Sequence, residues 1–317
     1  MEHYQYKIIS NPDYNCFECN IIIPIIDILN ENIAPYFYSH FYLKFVGEDN
    51  IDLFHLSIGC DYQRNVLREF YGIIIEESLC FNIKPQEFIK ELRKMAKQGY
   101  VGVMLDSFDC PWNKHYFHKI HREHYFLIDA KVQDGYIKCY DGFFSSKVEK
   151  ISVEYLCRIL HSVFVLKRRI ISKRMEPVIW AEIGISYAFN CKNDFGLFIS
   201  ALENINLERE LEKSCNDIVK SDLVYNLAKI EHARKCYVAA MYISVEYELF
   251  AIPEQILKKL QEDVFLWEQA KGRAIQGLLT KRKESINICI NILKKLLFLE
   301  EEVIKTLLSV WRNKRIC

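Results

Sequence analysis

The sequence predicts a mixed α+β domain followed by an all-helical one, and two contrasts along its 317 residues carry that prediction. Up to about residue 170, short β-branched and aromatic runs alternate with stretches of helical spacing. Beyond "KRMEP" (173–177) the strand signals stop, and long amphipathic patterns take over.

In the first half, "VGVMLD" (101–106), "HYFLIDA" (124–130), "YIKCYDGFF" (136–144) and "HSVFVLKR" (161–168) read as strands bounded by turn residues. Between positions 85 and 99, "PQEFIKELRKMAKQG" has apolar residues at 88, 89, 92, 95 and 96, a helical period closed by a glycine. In the second half, residues 221–250, 253–280 and 285–311 read as long helices with charged outer faces, and Pro177 and Pro253 suit first helical turns. A boundary near 172–176 divides the chain into domains of 1–172 and 173–317, the second a helical bundle.

Lysine plus arginine balance aspartate plus glutamate at 42 each, so no global field draws the chain to nucleic acid or to an anionic membrane. "IIIPIIDIL" (21–29) is the most apolar run, but it is too short to span a bilayer and carries Pro24 and Asp27. The polar, acidic start does not read as a signal peptide, and the twelve cysteines have no regular spacing. Together these features predict reduced thiols in the cytoplasm. The chain has no P-loop and no GxGxxG, so no nucleotide cofactor is expected.

"NPDYNCFECNIII" (11–23) places Cys16 and Cys19 at the mouth of a helix, with Asn11, Asp13 and Asn15 as candidate caps. A cysteine in a first helical turn meets the positive end of the helix dipole and unpaired N–H groups, which favour the reactive thiolate. A zinc half-site would need a second CxxC, and the chain has none. A thioredoxin-like pair would follow a strand within a βαβ unit, and only fifteen residues precede Cys16. Two readings remain: a nucleophile at Cys16, or two small buried hydrophobes. Pro24 requires any helix passing through it to kink or restart.

"KHYFHKIHREHYFLIDA" (114–130) spaces histidines at 115, 118, 121 and 124. At about 300° per three-residue step, successive side chains drift round a helix, so the four cannot converge on one ion. "HREH" also lacks the HExxH zinc pattern, and no metal is expected. His124 differs from the others because it opens a strand, and a second strand ends at Asp141 seventeen residues later. Cysteine at a helix mouth, histidine and carboxylate is the order of nucleophile, base and orienting group. Equally, His124 can be a satisfied edge residue and Asp141 the start of the turn Asp141-Gly142. The hairpin register separates these readings. Pairing 133 with 136 around Asp134-Gly135 puts Asp141 opposite Ile128, whereas pairing 130 with 135 puts it opposite His124, as the chemistry requires.

Several motifs occur in order: "NCFECNIIIPIIDIL", the aromatic "YFYSHFYLKF" (36–45), "YGI" (71–73), glycine followed by "VGVMLD" and "PWN" (99–116), and "HREHYFLI" leading to "DGF" (121–143). This set, over most of 10–170, resembles the papain-like domain of the butirosin biosynthesis protein H family and, more distantly, the bacteriocin-processing cysteine peptidases. The resemblance implies a papain-like cysteine peptidase/acyltransferase fold with a C-terminal all-helical domain. It further implies a cysteine-dependent acyltransferase of bacterial secondary metabolism, such as nonribosomal peptide assembly. The acyl group would pass from an acyl or peptidyl carrier-protein thioester to a small amine acceptor. Carried over, Cys16 is the nucleophile, His124 the base and Asp141 the orienting group. The peptidases place a glutamine upstream of the cysteine to bind the oxyanion, and here Ser10 stands in that region. The backbone N–H of Cys16 and the Asn15 side chain are left as candidate donors, a set better suited to thioesters than to amides. A hydrolase on the same residues and a non-catalytic binding protein are the alternatives.

Overall fold

The structure, a computed structural model, describes residues 6–9, 14–46, 55–57, 61–79, 83–190, 192–214 and 217–313. It is mixed α+β and divides into two compact units. The first comprises Met1–Ile33 and Leu67–Arg174, and the second Ala34–Val66 and Met175–Cys317. The expected division at 172/173 therefore lies two residues early, and 34–66 belongs with the helices rather than with the first domain. The aromatic segment explains this. Tyr36, Phe37, Tyr38 and Phe41 are core residues, and the hydrogen bonds around them are made within the second unit. Arg234 donates to the His40 carbonyl (2.7 Å), and the Tyr62 hydroxyl donates to the carbonyls of Pro35 (2.9 Å) and Trp180 (3.1 Å).

The first unit is built on six strands: β1 (Ile73–Leu79), β2 (Gly99–Asp106), β3 (Glu123–Ile128), β4 (Tyr136–Tyr140), β5 (Glu149–Ser152) and β6 (Leu160–Arg168). Their order is β1-β6-β2-β3-β4-β5, and every neighbouring pair is antiparallel. The four strands legible in the sequence are present, and β1 and β5 add the two edges. The helix expected over 85–99 ends at Met95, and Gly99 instead opens β2. Its Phe88 and Leu92 pack with Val101, Val103, Leu105, Phe126, Ile128 and Ile137 to make the core of this unit.

The N-terminal helical segment is continuous over 16–28 but changes pitch. Glu18–Ile22 is π-helical and Ile23–Ile28 α-helical, with Pro24 in the first turn of the α-helical part. Proline lacks an N–H and clashes with the carbonyl one turn back, so the wide turn ahead of it is where the helix restarts.

The second unit holds the long helices Asp222–Glu246, Glu254–Thr280 and Lys283–Asn313, close to the expected ranges, with shorter helices at Pro177–Asn190, Lys192–Glu203 and Leu207–Lys213. Trp267, Ala270, Ala274 and Leu278 form one buried stripe, at the spacing of an amphipathic helix. No helix among the described residues is long and apolar enough to cross a membrane.

One ionic cluster lies inside this apolar unit. Fully buried Arg234 donates to both Glu300 oxygens (2.9 and 3.1 Å), and the Trp267 indole donates to the same carboxylate (2.9 Å). Asp263 lies 3.8 Å from Arg234 and is also buried. Burial and the Glu300 charge push its carboxyl well above the usual range, so near neutral pH one cation faces one carboxylate. Arg234→Met strands a buried charge and is expected to cost about 3–5 kcal/mol. Asp263 binds its proton more tightly folded than unfolded. Its contribution to stability is therefore full below about pH 4 and is lost as pH rises. Asp263→Asn is accordingly expected to gain on the wild type as pH rises. Denaturant unfolding of the three proteins at acid and neutral pH checks both effects.

Candidate functional site

Asn15 starts the N-terminal helix. Its Oδ1 accepts the Glu18 N–H (2.9 Å), and the Glu18 carboxylate accepts the Asn15 N–H (3.1 Å), a reciprocal capping box. Cys16 is thus fixed in the first turn, where N–H groups have no intrahelical acceptor. The Asn15 oxygen is committed to the cap. Asn11, Asp13 and Ser10 lie outside the described residues. Cys16 is half-buried, with its thiol 3.8 Å from the carbonyl of Glu123, the residue before His124. Cys19 is buried one turn on and donates to the Ile9 carbonyl.

Neither hairpin register weighed from the sequence holds throughout. Gln133 pairs with Tyr136 around Asp134 and Gly135, whose φ values of 52° and 78° are those of a tight mirror-image turn. Further along, Ile128 pairs with Cys139 and Leu127 with Tyr140, so four residues (129–132) face two (137–138) in a bulge. The expected 130-with-135 pairing is therefore wrong. Continuing the observed ladder sets Asp141 opposite Phe126, diagonal to His124 and on the same face. Diagonal neighbours are about 7–8 Å apart, within reach of two side chains that lean together.

They do lean together: His124 Nε2 and Asp141 Oδ2 are 2.7 Å apart, and both residues are buried. The same Oδ2 accepts the Trp112 indole N–H (2.6 Å), while Oδ1 accepts from the Asn20 amide (2.7 Å) and the Phe144 N–H (3.2 Å). Asn20 also donates to the Tyr125 carbonyl (2.8 Å) and accepts the Phe143 N–H (3.0 Å), tying the N-terminal helix to β3 and to the turn after β4. Phe144 packs on the imidazole, with ring centroids 4.3 Å apart. Gly142 is required beside Asp141, because a Cβ there would lie 2.0 Å from the Ile9 carbonyl oxygen.

Burial disfavours the imidazolium. The Asp141 charge and hydrogen bond, reinforced by a hydrogen bond and charge from Cys16, nonetheless carry the His124 pKa up to about 9. Burial likewise opposes ionisation of Asp141, but the His124 charge and the hydrogen bonds from His124, Trp112 and Asn20 hold its carboxyl below its ordinary range. The pair is therefore imidazolium and carboxylate at neutral pH. With Nε2 engaged by Asp141, Nδ1 is the ring atom left for Cys16.

The structure brings Cys16, His124 and Asp141 together and leaves the other three histidines of the ladder outside. His115 and His118 are exposed, and His121 pairs with Asp106 (2.7 Å) while stacking on Phe108 (4.3 Å). Cys110, His124 and Asp141 do place three possible ligand atoms within 4.8 Å of one another. Burial and the Asp141 charge push the Cys110 thiol up, however, and a metal needs the thiolate. The His124 and Asp141 atoms are also already engaged with each other. This donor set does not fit a metal without breaking the pair.

Asn20 and Trp112 were not identified from the sequence. A lone Asn one turn after Cys16, inside "CNIIIPII", was the available signal, as was the Trp of "PWN".

The His124 ring is expected to titrate near pH 9 in the wild type by ¹⁵N NMR. In Asp141→Asn, only Cys16 still opposes burial, and the midpoint should fall well below 9. Because its folded-state pKa is raised, the His124 contribution to stability is full below about pH 6.5 and is lost as pH rises through 9, whereas the contribution of Asp141, whose pKa is lowered, is full above about pH 4 and is lost as pH falls. Among the described cysteines, Cys16 alone is not buried, and burial pushes up the thiols of Cys110, Cys139 and Cys289. Brief iodoacetamide treatment and peptide mapping should find Cys16 alkylated before Cys19 or Cys110. The opposite order would remove Cys16 as the reactive thiol.

Comparison with protein-family models and with curated proteins returns no match for this chain, so the function rests on the geometry of these residues.

Proposed function

We propose that the chain is a cysteine-dependent acyltransferase with a papain-like first unit. The observation that carries this reading is a half-exposed thiol at a capped helix mouth, near enough to a buried imidazole to help raise its pKa, with a carboxylate keeping that imidazole protonated. An imidazolium beside a thiol favours the thiolate, as the helix N-terminus does. The Cys16 thiolate attacks the carbonyl of a thioester or ester. The tetrahedral oxyanion meets N–H groups of the first helical turn, and the thiol or alcohol leaves with a proton from His124. His124, now neutral, takes a proton from an incoming amine, which attacks the acyl-enzyme and releases an amide. Asp141 orients the ring, and Trp112 and Asn20 act through Asp141 as positioning residues.

A carrier-protein thioester is the proposed donor and a small amine the acceptor, in bacterial secondary metabolism. The seven described cysteines are free thiols, which suits a cytoplasmic setting.

Incubation with an acyl thioester should add one acyl mass to Cys16, and an added amine should discharge it as amide. Cys16→Ala should abolish the adduct, and His124→Ala should slow its formation by at least about 100-fold. Discharge at the same rate without amine would identify a hydrolase. Absence of any adduct at Cys16, with thioesters and esters alike, would leave a binding protein.

A further inference from the structure

Two loops of the first unit, at 111–115 and 143–150, enclose an open cleft of about 800 Å³. It shares walls with the site described above: Trp112, which donates to Asp141, and Phe144, which packs on His124. Asn113 also lines this cleft and is almost wholly buried. Its Oδ1 accepts the N–H groups of His115 (3.2 Å) and Tyr116 (3.3 Å), which fixes the direction of the amide, while its Nδ2 has no hydrogen-bond partner. Leaving such a donor unmet is costly, so an acceptor is expected to complete it.

The rim supplies the charge. Lys114, Lys147 and Lys150 line the cleft against a single carboxylate, Glu149, whose oxygen already accepts from Ser145 (2.7 Å) and lies 3.9 Å from Lys147. Lys114 and Lys150 form no ion pair among the described residues. In a chain with no net charge, this local excess of ammonium groups around an unmet N–H is a set of donors. It repels cations, and the concave wall concentrates its field on anions.

We propose that this cleft binds an oxyanion, the phosphate or carboxylate group of the substrate, through the Asn113 amide and the three lysines. Its part in positioning an acyl donor rests on the acyl-transfer reading; the binding itself rests on the cleft alone.

The test uses ¹⁵N-labelled full-length Cys16→Ser protein, titrated at low ionic strength with inorganic phosphate and separately with succinate. At least one anion should shift the amide signals of Asn113, His115 and Phe144 saturably. A response to phosphate alone names a phosphoryl group, and one to succinate alone a carboxylate. Combined Lys147→Gln and Lys150→Gln, both on exposed residues, should weaken binding by about tenfold or more. Asn113→Asp keeps the acceptor of the turn, removes the donor and should abolish binding. No saturable shift with either anion, or equal binding by the variants, overturns the proposal. Because neither phosphate nor succinate is an acyl donor, anion binding without acyl transfer in the wild type would overturn only the enzymatic reading. Acyl transfer without anion binding would overturn only this one.

Discussion

Placing an ionised carboxylate and an imidazolium together in the interior costs several kcal/mol per ion before their attraction is counted, and the first unit is arranged around meeting that cost. Asp141 receives four donors: the His124 ring, the Trp112 indole, the Asn20 amide and the Phe144 N–H. These come from β3, the loop after β2, the N-terminal helix and the turn after β4. No single segment could saturate the carboxylate. A short chain segment at Ile9 then packs against Gly142 so closely that no side chain fits there, which fixes the backbone next to the carboxylate. The same convergence brings Cys16 to the imidazole. Asn20 lies one turn beyond Cys16 on the same helix, so the hydrogen bond that anchors Asn20 to Asp141 also sets where the thiol sits.

The hairpin carries this further. Its turn obeys local chemistry, with Asp134 and Gly135 in the left-handed conformation that the tight turn requires. Its ladder obeys a different demand, the burial of Phe126, Ile128, Ile137 and Cys139 on one face. Both are satisfied by placing extra residues in a bulge at 129–132, a device that lets one hairpin hold two registers.

This compromise explains what could be read from the sequence. The elements were legible because hydrophobic period is a local property: β2, β3, β4, β6 and the three long helices follow their patterns closely. Cys16, His124 and Asp141 were legible because their order and their positions at the ends of elements carry a chemical meaning. The register was not, since it reconciles a local turn preference with long-range packing. Asn20 and Trp112 were missed for a related reason. A buried Asn in an apolar run has no use until its partner, 121 residues away, is known. The aromatic segment at 34–43 looked like part of the first domain by sequence proximity, but the backbone and hydroxyl groups around it find their partners in Arg234, Trp180 and Ser244.

Among the described residues, two buried ionic clusters stand out, and their differences bear on where a function is to be proposed. Buried pairs can often be replaced by apolar residues without loss, so burial alone argues for neither. Around Arg234 the chemistry closes on itself. The guanidinium is fully enclosed and cannot give up its proton, Glu300 is bound to it by two hydrogen bonds, and the adjacent acid, Asp263, is driven neutral. Around His124 the chemistry stays open at one end. The ion pair is as deeply buried, yet its cation is a side chain that can exchange its proton, and a thiol that solvent can reach lies near enough to help raise its pKa. A cluster built only to hold the fold has no need for an exchangeable proton or for a reactive atom beside it. The first cluster lacks both and the second combines them, which is why the start of β3, rather than the interior of the helical unit, is where chemistry is proposed.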